Sequence, residues 1–154
     1  MLKYVDYDIV FQEIPDEVTL AINLSNCPYC CVGCHSPHLR EDIGEELSEA
    51  ALSDLIPKYE NAITCVCFMG GDATPEGLCK LAAFVRKKWN GAIKIAWYSG
   101  NNTLYNKEFT RFFNYIKLGE FIQTLGGLNK NTTNQRLYRI NNDTMEDITP
   151  LMQR

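Results

Sequence analysis

Between residues 18 and 140, short aliphatic runs take turns with longer amphipathic stretches, and this alternation limits the fold more than any other feature of the chain. "VTLAINL" (18–24) is rich in β-branched and aliphatic residues and reads as a buried strand. Residues 48–59, "SEAALSDLIPKY", set Ala51, Leu55, Ile56 and Tyr59 at helical spacing, with Pro57 limiting regular hydrogen bonding near the end. "AITCVCFM" (62–69) predicts a second strand, closed by Gly70 and Gly71. In "TPEGLCKLAAFVRKKW", Thr74 suits an N-cap, Pro75 the first helical position and Glu76 the positive end of the helix dipole. Leu78, Leu81, Ala82, Val85 and Trp89 then form one apolar stripe, with Arg86, Lys87 and Lys88 in the last turn. "AIKIAWY" (92–98) predicts a third strand, stopped by "SGNN". Asn106 predicts the cap of a third helix carrying Phe109, Phe112, Phe113 and Ile116 on its core face. "EFIQTL" (120–125) reads as a fourth strand and "QRLYRI" (135–140) as a short fifth; a short helix fits the tail after Asn141.

Strands separated by helices predict an α/β fold with a mostly parallel sheet, in which ligands gather at the carboxyl ends of the strands. The 154 residues are too few for eight strand–helix units, so the expectation is a single domain over residues 1–154, a partial, open (βα) barrel. Three unusual segments fall at the expected strand ends: "NCPYCCVGCHSPH" (26–38), "MGGD" (69–72) and "YSGNN" (98–102). They are expected to converge.

A formal charge of −4 argues against broad binding of nucleic acid or of an anionic membrane. No apolar run approaches the roughly 20 residues that span a bilayer, and "MLKYVDYDIVFQ" lacks the basic start and apolar stretch of a signal peptide. The expectation is a cytoplasmic protein, and there clustered thiols point to metal binding or catalysis rather than cross-links. Of the seven cysteines, Cys65, Cys67 and Cys79 fall in apolar segments and read as small buried hydrophobes. The other four, Cys27, Cys30, Cys31 and Cys34, lie within eight positions.

A structural zinc site draws its thiols from two separate segments, which this loop does not offer by itself. A thioredoxin-like pair, Cys27 and Cys30, is a rival reading, although that motif opens a helix. Cys27, Cys31 and Cys34 alone make C-x-x-x-C-x-x-C, which can hold three corners of an iron–sulfur cube and leave the fourth iron open to a ligand.

That spacing after the first strand, with Gly-Gly-acidic after the second, resembles the radical S-adenosylmethionine enzymes. Within them the chain resembles the activating proteins of anaerobic (class III) ribonucleotide reductases, on most of its length. "CCVGCHSPHL" is similar to that family's Cys-Pro-Gly-Cys segment, "WYSGN" to its Trp-Thr-Gly stretch and "TTNQRLYRI" to its Ser-Asn-Gln segment. Asp72 stands where most of the superfamily has Glu, Cys30 is an extra thiol, and Gly126-Gly127 stand where the family often has Asp-Gly.

The resemblance implies a 4Fe–4S cluster on Cys27, Cys31 and Cys34, and S-adenosylmethionine bound through its open iron. It implies that Gly33 and His35, beside Cys34, line the adenosine side, that Gly70, Gly71 and Asp72 hold the methionine end, and that Ser99 contacts the ribose. It further implies reductive cleavage of the cofactor and a glycyl radical raised on the large anaerobic reductase subunit, with a small electron donor such as a flavodoxin. The open flank of the barrel would be the docking surface, with aromatics such as Tyr29 or Trp97 exposed there. An activator of the pyruvate formate-lyase type and a non-enzymatic iron–sulfur carrier are the competing readings. The plainest reading of "MGGD" is a strand-to-helix turn that needs glycine, and of Asp72 an acid favoured before a helix.

Overall fold

A computed structural model describes residues 2–25, 42–142 and 144–153. Its strands are β1 (Lys3–Val10), β2 (Thr19–Leu24), β3 (Glu45–Glu46), β4 (Cys65–Met69), β5 (Lys94–Tyr98), β6 (Tyr115–Leu118), β7 (Arg136–Asn141) and β8 (Thr144–Asp147). Two α-helices, α1 (Glu49–Leu55) and α2 (Pro75–Lys88), are joined by short 3-10 turns at Ile56–Lys58, Lys107–Phe112 and Thr149–Gln153.

All eight strands form one sheet in the order β3-β1-β2-β4-β5-β6-β7-β8. The pairings β2–β4, β4–β5 and β5–β6 are parallel, whereas β3–β1, β1–β2, β6–β7 and β7–β8 are antiparallel. The expected mostly parallel, helix-rich partial barrel is therefore wrong: the sheet is mixed and mostly antiparallel, with a short parallel centre. Among the described residues the helices are fewer than a strand–helix repeat requires. The stretch expected as a third helix is a 3-10 turn that ends at Phe112, and Ile116 lies in β6. Asn114 makes the difference, because its amide donates to Ile95 O at 2.7 Å while its Oδ1 accepts from Ile95 N at 2.9 Å. The chain is thus fastened beside β5 where a helix would have carried it away.

The strand expected at 120–125 is likewise absent. Gly119 ends β6 at φ 117°, and a Cβ there would lie 3.0 Å from Gln135 Cα. The segment after it turns back, with Leu125 and Gly126 both donating to Ile122 O. Asn106 does cap its turn, accepting from Glu108 N at 3.0 Å, whereas Thr74 occupies the N-cap of α2 without a capping hydrogen bond.

Period-two alternation divides the core between the two faces of the sheet. Leu20, Ile22, Leu24, Val66, Phe68, Ile95, Trp97 and Ile116 pack under the helices against Leu52, Leu78, Ala82 and Val85. Cys65, Cys67, Ala96, Tyr115 and Leu137 face the other way and are covered by Ile14, Leu128 and Ile148, with Leu151 and Met152 against them. The second face is therefore filled by the protein's own loops along its lower half.

At the amino ends of the parallel strands, buried Glu17 accepts from Lys94 Nζ at 2.7 Å and from Tyr115 Oη at 2.8 Å. Burial works to raise the Glu17 pKa, but the hydrogen bonds from Lys94, Thr64 and Tyr115 outweigh it and hold it below the ordinary 4.5. A carboxylate with a depressed folded pKa adds stability above its unfolded value and loses it as the pH falls through the folded one. Acidification from pH 4.5 downward is expected to destabilise the protein, and Glu17→Gln to flatten that part of the urea-unfolding pH profile. Above that range Glu17→Gln should cost about 2 kcal/mol, mostly through Tyr115, since Lys94 is half-exposed.

Candidate functional site

β2, β4 and β5 are adjacent and parallel, so their carboxyl ends lie side by side. β2 leads through Ser25 into the cysteine segment; Cys27, Cys31, Cys34, Gly33 and His35, with Tyr29, Cys30 and His38, lie outside the described residues. β4 leads into Gly70-Gly71-Asp72 and β5 into Ser99. Of the three segments expected to converge, the latter two do so within hydrogen-bonding distance.

Gly70 N donates to Tyr98 O at 3.0 Å, and Gly70 O accepts from Trp97 Nε1 at 2.7 Å. Gly70 and Gly71 have φ of 111° and 85°, where a side chain is strained. A Cβ on Gly71 would also come within 3.0 Å of Leu24 Cδ1, in the last residue of β2. Backbone conformation and close packing thus already require both glycines, and they bring the turn against the strand that leads to the cysteines.

Asp72 is buried and its carboxylate is fully engaged. Oδ1 accepts from Ser99 Oγ at 2.5 Å and from Tyr105 Oη at 3.0 Å, while Oδ2 accepts from Gly100 N at 3.0 Å. Ser99 is fully buried, and its hydroxyl also accepts from Asn101 N at 3.1 Å. Asp72 and Ser99 therefore face each other rather than open space, and act as a clasp between the exits of β4 and β5. Trp97, expected on the docking flank, is fully buried beneath them, stacked on Tyr105 with ring centroids 5.9 Å apart. Its place as a core residue follows from the alternation of β5, which points Ile95 and Trp97 under the helices.

On the opposite face, the register sets Asn23, Met69, Tyr98 and Lys117 in one row at the carboxyl edge, above the loop-filled lower half. Lys117 is buried; its ammonium donates to Ser99 O at 2.9 Å and Gly119 O at 3.0 Å and lies 5.5 Å from the Tyr98 ring centroid. Tyr98 Oη donates to Glu13 O, and Asn23 Nδ2 to Asp6 Oδ1 at 2.6 Å. Lys117 and Tyr105 escaped the sequence reading. A single lysine inside the apolar run "YIKL" was the available signal for the first; Tyr105 had none. A cleft of about 730 Å³ lies beside Glu49, Lys80, Phe84 and Lys87 and shares no residue with this cluster.

Among the described residues no group of three or more His, Cys, Asp or Glu side chains is placed to hold a metal. Cys65, Cys67 and Cys79 are free and buried, as expected of small apolar residues. Burial, then the Glu17 carboxylate, pushes the Cys65 thiol up to about 12. Burial, then Cys65 and Glu13, raises Cys67 well above the ordinary range, and burial with Glu76 takes Cys79 to about 11. None is a thiolate near neutrality, so none is a ready ligand or nucleophile. Iodoacetamide at about pH 8 should leave all three unlabelled in the folded protein and label them in urea, read by peptide mass mapping. Rapid native labelling of Cys67 would contradict its place in the core.

Comparison with protein-family models, with curated proteins and with solved structures finds no match to this chain. Among the described residues no helix is long and apolar enough to cross a membrane.

Proposed function

We propose that the chain is a cytoplasmic radical S-adenosylmethionine activating enzyme that raises a glycyl radical on the large subunit of an anaerobic ribonucleotide reductase. One observation carries this reading: Leu24, at the end of the strand that runs into the cysteine segment, packs against Gly71 of the Gly-Gly-Asp turn. The end of the strand that precedes the cysteine motif thus meets the Gly-Gly-Asp turn, by a contact between residues far apart in the chain. The parallel centre of the sheet is also the part whose strand ends offer a ligand crevice.

The donor set fits the implied cluster in chemistry: three cysteines at C-x-x-x-C-x-x-C can supply three thiolates and leave one iron open. When bound, the cluster supplies the electron that cleaves the cofactor. Cys27, Cys31 and Cys34 would hold it, and Gly33 and His35 flank the last ligand. Gly70 and Gly71 keep the β4 exit free of side chains, so main chain can approach a ligand. Asp72 and Ser99 support that turn through the clasp instead of reaching outward, and Trp97 fixes the Gly70 carbonyl.

The test is anaerobic reconstitution with iron and sulfide, reduction with dithionite, addition of S-adenosylmethionine and chromatography for 5′-deoxyadenosine. Formation of the nucleoside, absent when the cofactor or the reductant is omitted, is the expected result. A reconstituted cluster that never cleaves the cofactor, even with the reductase subunit present, would overturn the proposal in favour of an iron–sulfur electron carrier.

A further inference from the structure

β1 is eight residues long, yet β3 pairs only with its first two, Lys3 and Tyr4. Among the described residues no strand lies beside Asp6–Val10 on the side away from β2, and Asp6, Tyr7 and Asp8 are exposed in succession. The Ile9 N–H is taken by Asp8 Oδ1 at 2.8 Å, which turns that amide outward from the ladder with β2. Alternate residues of an antiparallel strand present their main-chain groups to the same edge, so Tyr7 shares that direction. Open edges of this length template strand addition unless something covers them.

Two further observations bear on what covers it. Three large hydrophobic side chains are exposed among the described residues, and two of them, Tyr7 at 37% and Phe11 at 69%, lie on this edge or just past its end. Exposed aromatics of this kind are enriched where proteins meet. Asp6 and Asp8 project on one face of the strand, and among the described residues neither forms an ion pair. A second copy pairing through the same edge would set like charges against one another, which destabilises a ladder.

We propose that the outer edge of β1, from Asp6 to Phe11, docks an extended, basic segment of a partner protein, which joins the sheet as an added strand. Main-chain hydrogen bonds to Tyr7 and Ile9 supply the pairing: a carbonyl of the segment replaces Asp8 Oδ1 on the Ile9 N–H, and cations at alternate positions of the segment meet Asp6 and the Asp8 carboxylate so released. The proposal is independent of the radical chemistry and is tested without it.

The experiment titrates the full chain with two hexapeptides, one alternating Lys and Thr and one alternating Glu and Thr, and follows the backbone amides by heteronuclear NMR. The Lys–Thr peptide should bind about tenfold more tightly, the effect of two exposed ion pairs together. It should also shift the Tyr7 and Ile9 amides and slow their hydrogen exchange. Asp8→Lys alone should abolish the preference between the peptides, because Asp6 remains, and Asp6→Lys combined with Asp8→Lys should reverse it. A Lys–Thr peptide N-methylated on the amides that face β1 should lose about tenfold in affinity while keeping its charge. The proposal is overturned if the Lys–Thr peptide does not bind, if the N-methylated form binds equally, or if the Tyr7 and Ile9 amides stay unmoved. Concentration-dependent protection of the same amides without peptide would assign the edge to a second copy and overturn it as well.

Discussion

Cys31→Ala is expected to abolish both the reconstituted cluster and the formation of 5′-deoxyadenosine, while Cys30→Ala leaves both in place. A cube held by three thiolates has none to spare, because the fourth iron must stay open for the cofactor. Removing one ligand therefore costs the whole site rather than a fraction of it, and the loss should reach the detection limit. Iron and sulfide content, the visible absorption of the cluster and the nucleoside yield measure it together. The pair of variants also separates the competing readings. An electron carrier with four cysteine ligands would lose its cluster with Cys30→Ala as readily as with Cys31→Ala. A redox pair formed by Cys27 and Cys30 would depend on Cys30 and tolerate loss of Cys31. A normal cluster in Cys31→Ala would remove the assigned ligand set.

Trp97→Ala is expected to be the most destabilising single change at the strand ends, by about 4 kcal/mol in urea unfolding, the range for truncating a fully buried tryptophan. Trp97 is fully buried, packs against Phe113 with centroids 5.5 Å apart, and donates its indole N–H to Gly70 O. Such a loss is a large part of the total stability of an ordinary domain. Trp97→Phe keeps most of the apolar volume and gives up the hydrogen bond, so it should cost about 1–2 kcal/mol. The conservative variant is therefore the one to assay. If the Gly70 carbonyl must be held for the turn to work, Trp97→Phe will lower cofactor cleavage more than its stability loss explains. A cost below about 1 kcal/mol for Trp97→Ala would contradict the burial of this side chain.

How much could be read from the chain itself differs from element to element. β2, β4 and β5 were legible because strands buried on both faces become continuous aliphatic runs. α2 was legible because Pro75, Glu76 and the terminal basic residues mark its ends while an apolar stripe marks its face. β6 was not legible: its four residues are all buried, so they show no alternation, and they follow a phenylalanine pattern that mimics a helix. β1 escaped for the opposite reason. "KYVDYDIV" is largely exposed or half-exposed, and only its register against β2 makes it a strand.

The same division runs through the candidate site. The thiol spacing, the glycine pair and the burial of Cys65, Cys67 and Cys79 were all visible in the chain, because each depends on neighbours along it or on composition. That Asp72 and Ser99 satisfy one another, that Trp97 lies beneath the turn and that Lys117 shares a row with Tyr98 and Asn23 was not. Those facts depend on which strand lies beside which and in what register. Local sequence therefore determined the strands of the centre, their helices and the run of thiols that follows β2. Tertiary structure alone decided that antiparallel strands flank this centre, because strand direction is set by long-range pairing that no local periodicity records.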